Sequence, residues 1–177
     1  MAVIGGTEWA ERIARRYLAA LPRRLAHVEG VARQAESAGD VTDVPELLVV
    51  SAWLHDIGYA PDIARTGFHP VDGADFLRAS GVDERLCALV ANHSCACVEA
   101  RRRGVVIEWA DEESAVRDAL WWADMTTTPT GEVTTVRERI VEVHSRYGPE
   151  HVVAQSVAEA APELIAAADR TERRLRA

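Results

Sequence analysis

The stretch Leu47-Leu48-Val49-Val50-Ser51-Ala52-Trp53-Leu54-His55-Asp56-Ile57-Gly58 decides the reading of this chain. Eight residues suited to a buried helix run directly into an imidazole and a carboxylate, and a glycine then turns the chain away. A carboxylate at the end of a buried helix is costly unless a cation or a strong donor meets it. His55 and Asp56 project about 100° apart on a helix. Both reach one ion only if it lies beyond the helix end. The helix begins near Asp43, where Asp43 and Glu46 have the spacing of a capping box and Pro45 suits a first turn.

Helical patterning extends outward from this segment in both directions. Thr7 to Leu21 predicts a first helix ended by Pro22, and Arg23 to Ala38 a second closed by Gly39. The second carries His27 close to its apolar face. After a loop from Tyr59 to Phe68, His69 stands before Pro70 at a helix start, and that helix runs to about Gly81. Another spans Asp83 to His93. The stretch from Ser94 to Trp109 has no clear period, and Val105-Val106-Ile107 fits either a short strand or an irregular loop. Asp111 to Thr127 predicts a helix carrying Asp124. Thr128-Pro129-Thr130-Gly131 predicts a turn, and Val133 to Tyr147 a further helix. The remainder reads as helical and bent at Pro162. No repeat or linker divides the chain. The expectation is one all-α domain over residues 1–177, with its motif core at about 20–130 and C-terminal helices over 133–177.

Composition narrows the function classes. The chain has 177 residues and a net charge of −8, which argues against non-specific binding to nucleic acid or to an acidic membrane. All 20 basic residues are arginine, so no lysine is available for chemistry. Three cysteines, Cys87, Cys95 and Cys97, with no leader pattern point to a reducing, cytoplasmic compartment. The longest apolar run is shorter than the roughly 20 residues that span a bilayer.

His27, His55, Asp56, His69, His93 and Asp124 then form an ordered set of metal-ligand types in apolar settings. Singly, each has an ordinary structural role: a partly buried histidine at His27, a helix start at His69, a helix end at His93, and a cap or arginine partner at Asp124. Together they point to a divalent transition ion such as Fe, Mn, Co, Ni or Zn. Two ions also fit. His27, His55, Asp56 and Asp124 would hold one, and His69 and His93 the other, with Asp56 between them. Cys95 and Cys97 lack zinc-knuckle spacing. Arg101-Arg102-Arg103, His144 and His151 read as surface residues, and Glu112-Glu113 as acidic residues favouring a helix N-terminus.

The order His27, His55-Asp56, Asp124 resembles the HD-domain superfamily of metal-dependent phosphohydrolases. Gly67-Phe68-His69-Pro70-Val71-Asp72-Gly73-Ala74 and Asn92-His93 resemble the branch with two added histidines, which includes bacterial hydrolases of diadenosine tetraphosphate. The resemblance implies a helical bundle, one or two divalent ions, and hydrolysis of a nucleotide-like phosphoester or phosphoanhydride by metal-activated water. It makes Asp56 the first catalytic candidate. Many members follow His-Asp-Ile-Gly with a lysine that contacts substrate phosphate. Tyr59 stands there in this chain, and Arg65 is the candidate replacement. The alternative is a metal-binding regulatory module without turnover, or an ion that only staples the fold. The expected partner is a small phosphorylated molecule, nucleotide-like, with no membrane involved and no non-specific binding of nucleic acid.

Overall fold

The computed structural model describes residues 5–177. Helix α3 (Pro45–Leu54) is the hub of the fold, and every residue from Leu47 to Leu54 is buried. A helix apolar on all faces must be enclosed on all sides. Helices α1 (Thr7–Tyr17), α2 (Pro22–Ser37), α5 (Glu84–Ala91) and α7 (Ala115–Met125) surround it. Helix α4 (His69–Ala79) packs on α5, and a short α6 (Ala96–Arg103) leans on the last helix. Helix α8 (Val136–Tyr147) and the 24-residue α9 (Val152–Leu175) close the bundle over α7. The described residues contain no strand, only an isolated bridge between Thr127 and Val133. No helix among them is long and apolar enough to cross a membrane.

Several local expectations change. Pro22 does not merely stop the first helix; it occupies the first turn of α2, where its missing N–H costs nothing. The Asp43–Glu46 capping box does not form: Val44 is the N-cap, no side chain caps the helix, and Pro45 begins it. The unclear segment contains α6, while Val105 to Ile107 form no strand, and Val106 points to solvent. Helix α7 starts later than expected, after Ser114 accepts from the Arg117 N–H. Glu112 therefore lies outside it and pairs with Arg85. Helix α8 does carry a capping box, between Thr135 and Glu138. Pro162 sits inside α9, which continues through it.

Two glycine contacts set the helix spacing around the site. A Cβ on Gly58 would lie 2.0 Å from the His69 carbonyl oxygen, so only glycine admits the start of α4 there. Gly131, at φ +85°, would bring a Cβ within 2.3 Å of the Ala26 carbonyl oxygen. That approach seats the loop after α7 against α2, beside His27.

Candidate metal centre

His55 closes α3, and Asp56 opens a single 3-10 turn, Ile57–Tyr59. Asp56 has left the helical backbone conformation, at φ −103° and ψ 10°. His69 is delivered by a second local device. Asp72, one turn into α4, is buried and accepts hydrogen bonds from the backbone N–H groups of Arg65, Thr66 and Gly67, and from the Thr66 hydroxyl. That carboxylate ties the loop down and fixes the entry to α4. His93 begins another 3-10 turn, in which Ser94 and Cys95 take left-handed backbone conformations at φ 49° and 58°. Such conformations are unfavourable for residues other than glycine and persist where surrounding contacts enforce them. Here the turn lets the Ser94 hydroxyl donate to Asp124 Oδ2 at 2.5 Å.

The six expected ligands meet at one place. His27 Nε2 lies 2.9 Å from Asp124 Oδ1 and 3.8 Å from Asp56 Oδ2. His55 Nε2 is 3.4 Å from Asp56 Oδ2 and 3.8 Å from Asp124 Oδ1. On the other side of the same carboxylate, Asp56 Oδ1 is 3.1 Å from His69 Nε2 and 3.6 Å from His93 Nε2. Each of the triads His27–His55–Asp56, His55–His93–Asp124 and Asp56–His69–His93 offers ligand atoms within 4.8 Å of one another.

The ring orientations are fixed from behind. Nδ1 of His27 faces the Thr128 carbonyl at 3.0 Å, Nδ1 of His55 the Ala52 carbonyl at 2.7 Å, and Nδ1 of His93 the Val90 carbonyl at 2.7 Å. A carbonyl can only accept, so each Nδ1 carries the proton. In the neutral ring, Nε2 then presents a lone pair towards carboxylate oxygens. Acceptors face acceptors, and His55 Nε2 is buried without a hydrogen-bond partner. Such a cluster needs protons or cations. Ligands about 2.0–2.2 Å from one ion are themselves about 3.0–3.5 Å apart at ordinary coordination angles, close to the spacings here. The donor set of imidazoles and carboxylates suits a divalent transition ion.

Without an ion, the charge must be met by protons. Burial opposes the charged form of His55, but Asp56 and Asp124 outweigh it and hold the imidazole up to about 9. Burial also opposes ionised Asp56, yet Arg24 and His55 keep it well below the usual carboxylate range. Asp124 is likewise lowered despite its burial, through His27 and His55. For His69 burial prevails over Asp56 and pushes it down to about 4.

Arg24 is the principal residue that the sequence reading missed. Its Nη1 donates to Asp56 Oδ2 at 2.5 Å. Its guanidinium lies 3.9 Å from the centroid of the Tyr59 ring, and that ring stacks on His69 at 3.9 Å and 18°. Tyr59 thus forms a platform between the Arg24 guanidinium and the His69 imidazole. The available signal was the Arg24–His27 spacing, three residues apart on one helix face. Arg65, by contrast, is exposed and lines neither cavity that reaches the cluster.

Those two cavities adjoin. A narrow one of about 110 Å³ opens directly over Asp56, His69, His93 and Asp124. A wider one of about 440 Å³ lies beside it, walled by Leu21, Pro22 and Pro129. Arg24, His27, Tyr59, Arg139 and Arg146 border both. Arg139 and Arg146 come from α8, seven residues apart and so on one face; nothing in the sequence told which face that was. Other expectations fall outside the centre. Burial pushes the Cys95 thiol up to about 12, Cys97 is exposed, and neither belongs to a ligand triad. Arg101 and Arg102 are exposed and pair with Glu159 of α9, His144 is exposed, and His151 accepts from the Val153 N–H at the start of α9.

Residues 24–147 match the HD domain family, and the match begins at Arg24 and includes all six clustered residues. The chain belongs to the HD domain family. This superfamily consists mostly of metal-dependent phosphohydrolases. No curated protein and no solved structure matches the chain. The all-α HD architecture agrees with the helical bundle described above.

Proposed function

We propose that this HD domain is a metal-dependent phosphohydrolase acting on a small, nucleotide-like phosphoester or phosphoanhydride. The observation that carries this reading is Asp56, whose two oxygens face two separate histidine pairs while Arg24 stands at its side. His27, His55, Asp56 and Asp124 would hold one ion; His69 and His93, with the other oxygen of Asp56, would hold a second. When bound, such ions supply a water nucleophile at neutral pH and positive charge for phosphoryl oxygens.

The chain's own residues do the rest. The carbonyls of Ala52, Val90 and Thr128 hold three imidazoles with Nε2 inward. Ser94 orients Asp124. Arg24, held over the face of the Tyr59 ring, takes the place of the missing lysine and donates to phosphoryl oxygens from the α2 side. Phe68, Met125, Val143 and Val157 border the narrow cavity and limit water around the reacting atoms. Hydrolysis forms a P–O bond from water and breaks the P–O bond to the leaving group, whose oxygen ends protonated.

A regulatory module without turnover is the second reading. It is favoured by Arg24, which already occupies Asp56 Oδ2. The two separate in a turnover panel of nucleotides, cyclic nucleotides and dinucleoside polyphosphates with Mn²⁺, Fe²⁺, Co²⁺ or Ni²⁺. Asp56→Asn should lower kcat by about 10³-fold or more on the responsive substrate, with helical circular dichroism unchanged. Silence of the metal-loaded wild type on the whole panel supports the regulatory module. Full activity in Asp56→Asn detaches catalysis from this centre.

A further inference from the structure

The wider cavity has a composition that a monophosphate alone does not explain. Arg23, Arg24, Arg139 and Arg146 line it, and no carboxylate does, in a chain whose net charge is −8. Its volume of about 440 Å³ lies within the range of about 300–1,000 Å³ typical of small-molecule pockets. Arg139 is only 7% exposed, and its Nε is buried without a hydrogen-bond partner. The one carboxylate that meets these α8 arginines is Glu142, shared between Arg139 and Arg146. One negative charge between two guanidiniums leaves a surplus positive charge and unused donors. The only carboxylate bordering the narrow cavity besides the clustered aspartates is Glu99, which is paired with Arg103. Arg23 and Arg146 are exposed at the cavity mouth and Arg24 is held by Asp56, but burying the Arg139 guanidinium with its Nε unmet is costly unless a ligand supplies an acceptor.

We infer that the wider cavity is a subsite for a second phosphoryl group, so that the ligand of this centre is a phosphoanhydride and not a simple phosphomonoester. This inference rests on the proposed phosphohydrolase reading. The phosphoryl at the cluster meets Arg24. The next one along the chain lies between Arg139 and Arg146, whose planar forks match its oxygens. Leu21, Pro22 and Pro129 then face the less polar remainder of the molecule.

The test is calorimetric titration of the metal-loaded protein with imidodiphosphate, a non-hydrolysable diphosphate, and with orthophosphate, metal content being measured after each titration. Wild type should bind imidodiphosphate at least about tenfold more tightly than orthophosphate. The Arg139→Gln/Arg146→Gln variant should lose about tenfold or more for imidodiphosphate, and less than about threefold for orthophosphate. Because Arg139 is buried, Pro129→Glu serves as a second variant: its added carboxylate should repel imidodiphosphate selectively while α8 stays intact. Equal binding of the two ligands by wild type, or equal losses in both variants, overturns the subsite. A nucleoside monophosphate hydrolysed as fast as its diphosphate does so too, and leaves the phosphohydrolase reading standing. Selective imidodiphosphate binding in a protein that hydrolyses nothing keeps the subsite and removes the enzyme.

Discussion

Helix α7 carries two buried aspartates six residues apart, and their surroundings are opposites. Asp118 faces donors. Arg170 grips it at 2.8 Å through two nitrogens, and Arg174 and Arg117 add contacts of 3.1 and 3.2 Å. Glu163 and Asp111 balance the remaining guanidinium charge. Asp124 has one fixed donor, the Ser94 hydroxyl at Oδ2; its other neighbours are His27 Nε2, His55 Nε2 and, across the centre, the carboxylate of Asp56. The first cluster is complete in itself and joins α7 to α9. The second has fewer fixed donors than acceptors and relies on protons on its histidines, or on a cation, to balance it. Burial of polar groups is common to both, so burial alone marks no functional site; the mismatch of donors and acceptors does.

Metal removal should separate the two clusters most sharply. A bound ion stabilises the folded chain by RT ln(1 + [L]/Kd), about 4 kcal/mol at a thousandfold excess over Kd. Exhaustive chelation should lower the Tm of wild type and of Asp118→Asn alike, and leave Asp56→Asn almost unmoved. Scanning fluorimetry with and without Mn²⁺ decides this. A metal response in Asp56→Asn equal to that of wild type places the ions elsewhere.

Asp118→Asn should have the converse profile. Losing the shared anion of three arginines, two of them partly exposed, should cost about 2–4 kcal/mol in urea unfolding while kcat is retained. Its pH dependence has a definite sign. Burial opposes the Asp118 charge, but Arg170, Arg174 and Arg117 overcome it and lower its pKa below the usual carboxylate value. The contribution is therefore complete above the unfolded value of about 3.9 and lost as pH falls through the lower folded value. Wild type should lose stability in acid more steeply than Asp118→Asn. Parallel acid limbs would sink this assignment.

The smallest effect concerns the turn that orients Asp124. Ser94→Ala removes the hydroxyl that donates to Asp124 Oδ2. Residues supporting a ligand in this way are worth about 10–100-fold in metal affinity; with the remaining contacts intact, the lower end is expected. Competition with a chromogenic chelator measures it. Unchanged affinity would make the left-handed turn a matter of folding only.

Only one side of this contrast, the centre around Asp56 and Asp124, is legible in the sequence. His55-Asp56 stood out because a strongly apolar helix ended on two polar residues, and the order of His27, His69, His93 and Asp124 supplied the rest. Helices α3 and α4 were marked by Pro45, Gly58 and Pro70. Residues whose role depends on tertiary approach were not marked. Arg24 reaches Asp56 because Tyr59 offers it a flat surface, and Arg65 does not because Asp72 binds the loop through its backbone. Helix α6 was hidden by a kinked entry at Ser94 and Cys95 that no propensity foretells. The Asp118 cluster was invisible because its partners are contributed by α9, some 50 residues away.

The arginine lining of the wider cavity also fixes how the protein behaves towards alkali and towards reagents. Guanidinium groups stay protonated beyond pH 12, and burial raises the Tyr59 phenol above its ordinary value, although Arg24 opposes this. The contribution of these arginines to the attraction of an anionic ligand is therefore constant across the neutral and moderately alkaline range. Amine-directed reagents find no lysine in the chain, whereas a dicarbonyl that condenses with guanidinium reaches the exposed Arg23 and Arg146 of this cavity. Loss of imidodiphosphate binding on treatment with phenylglyoxal, prevented by ligand added beforehand, is the outcome that the proposed phosphoryl subsite predicts.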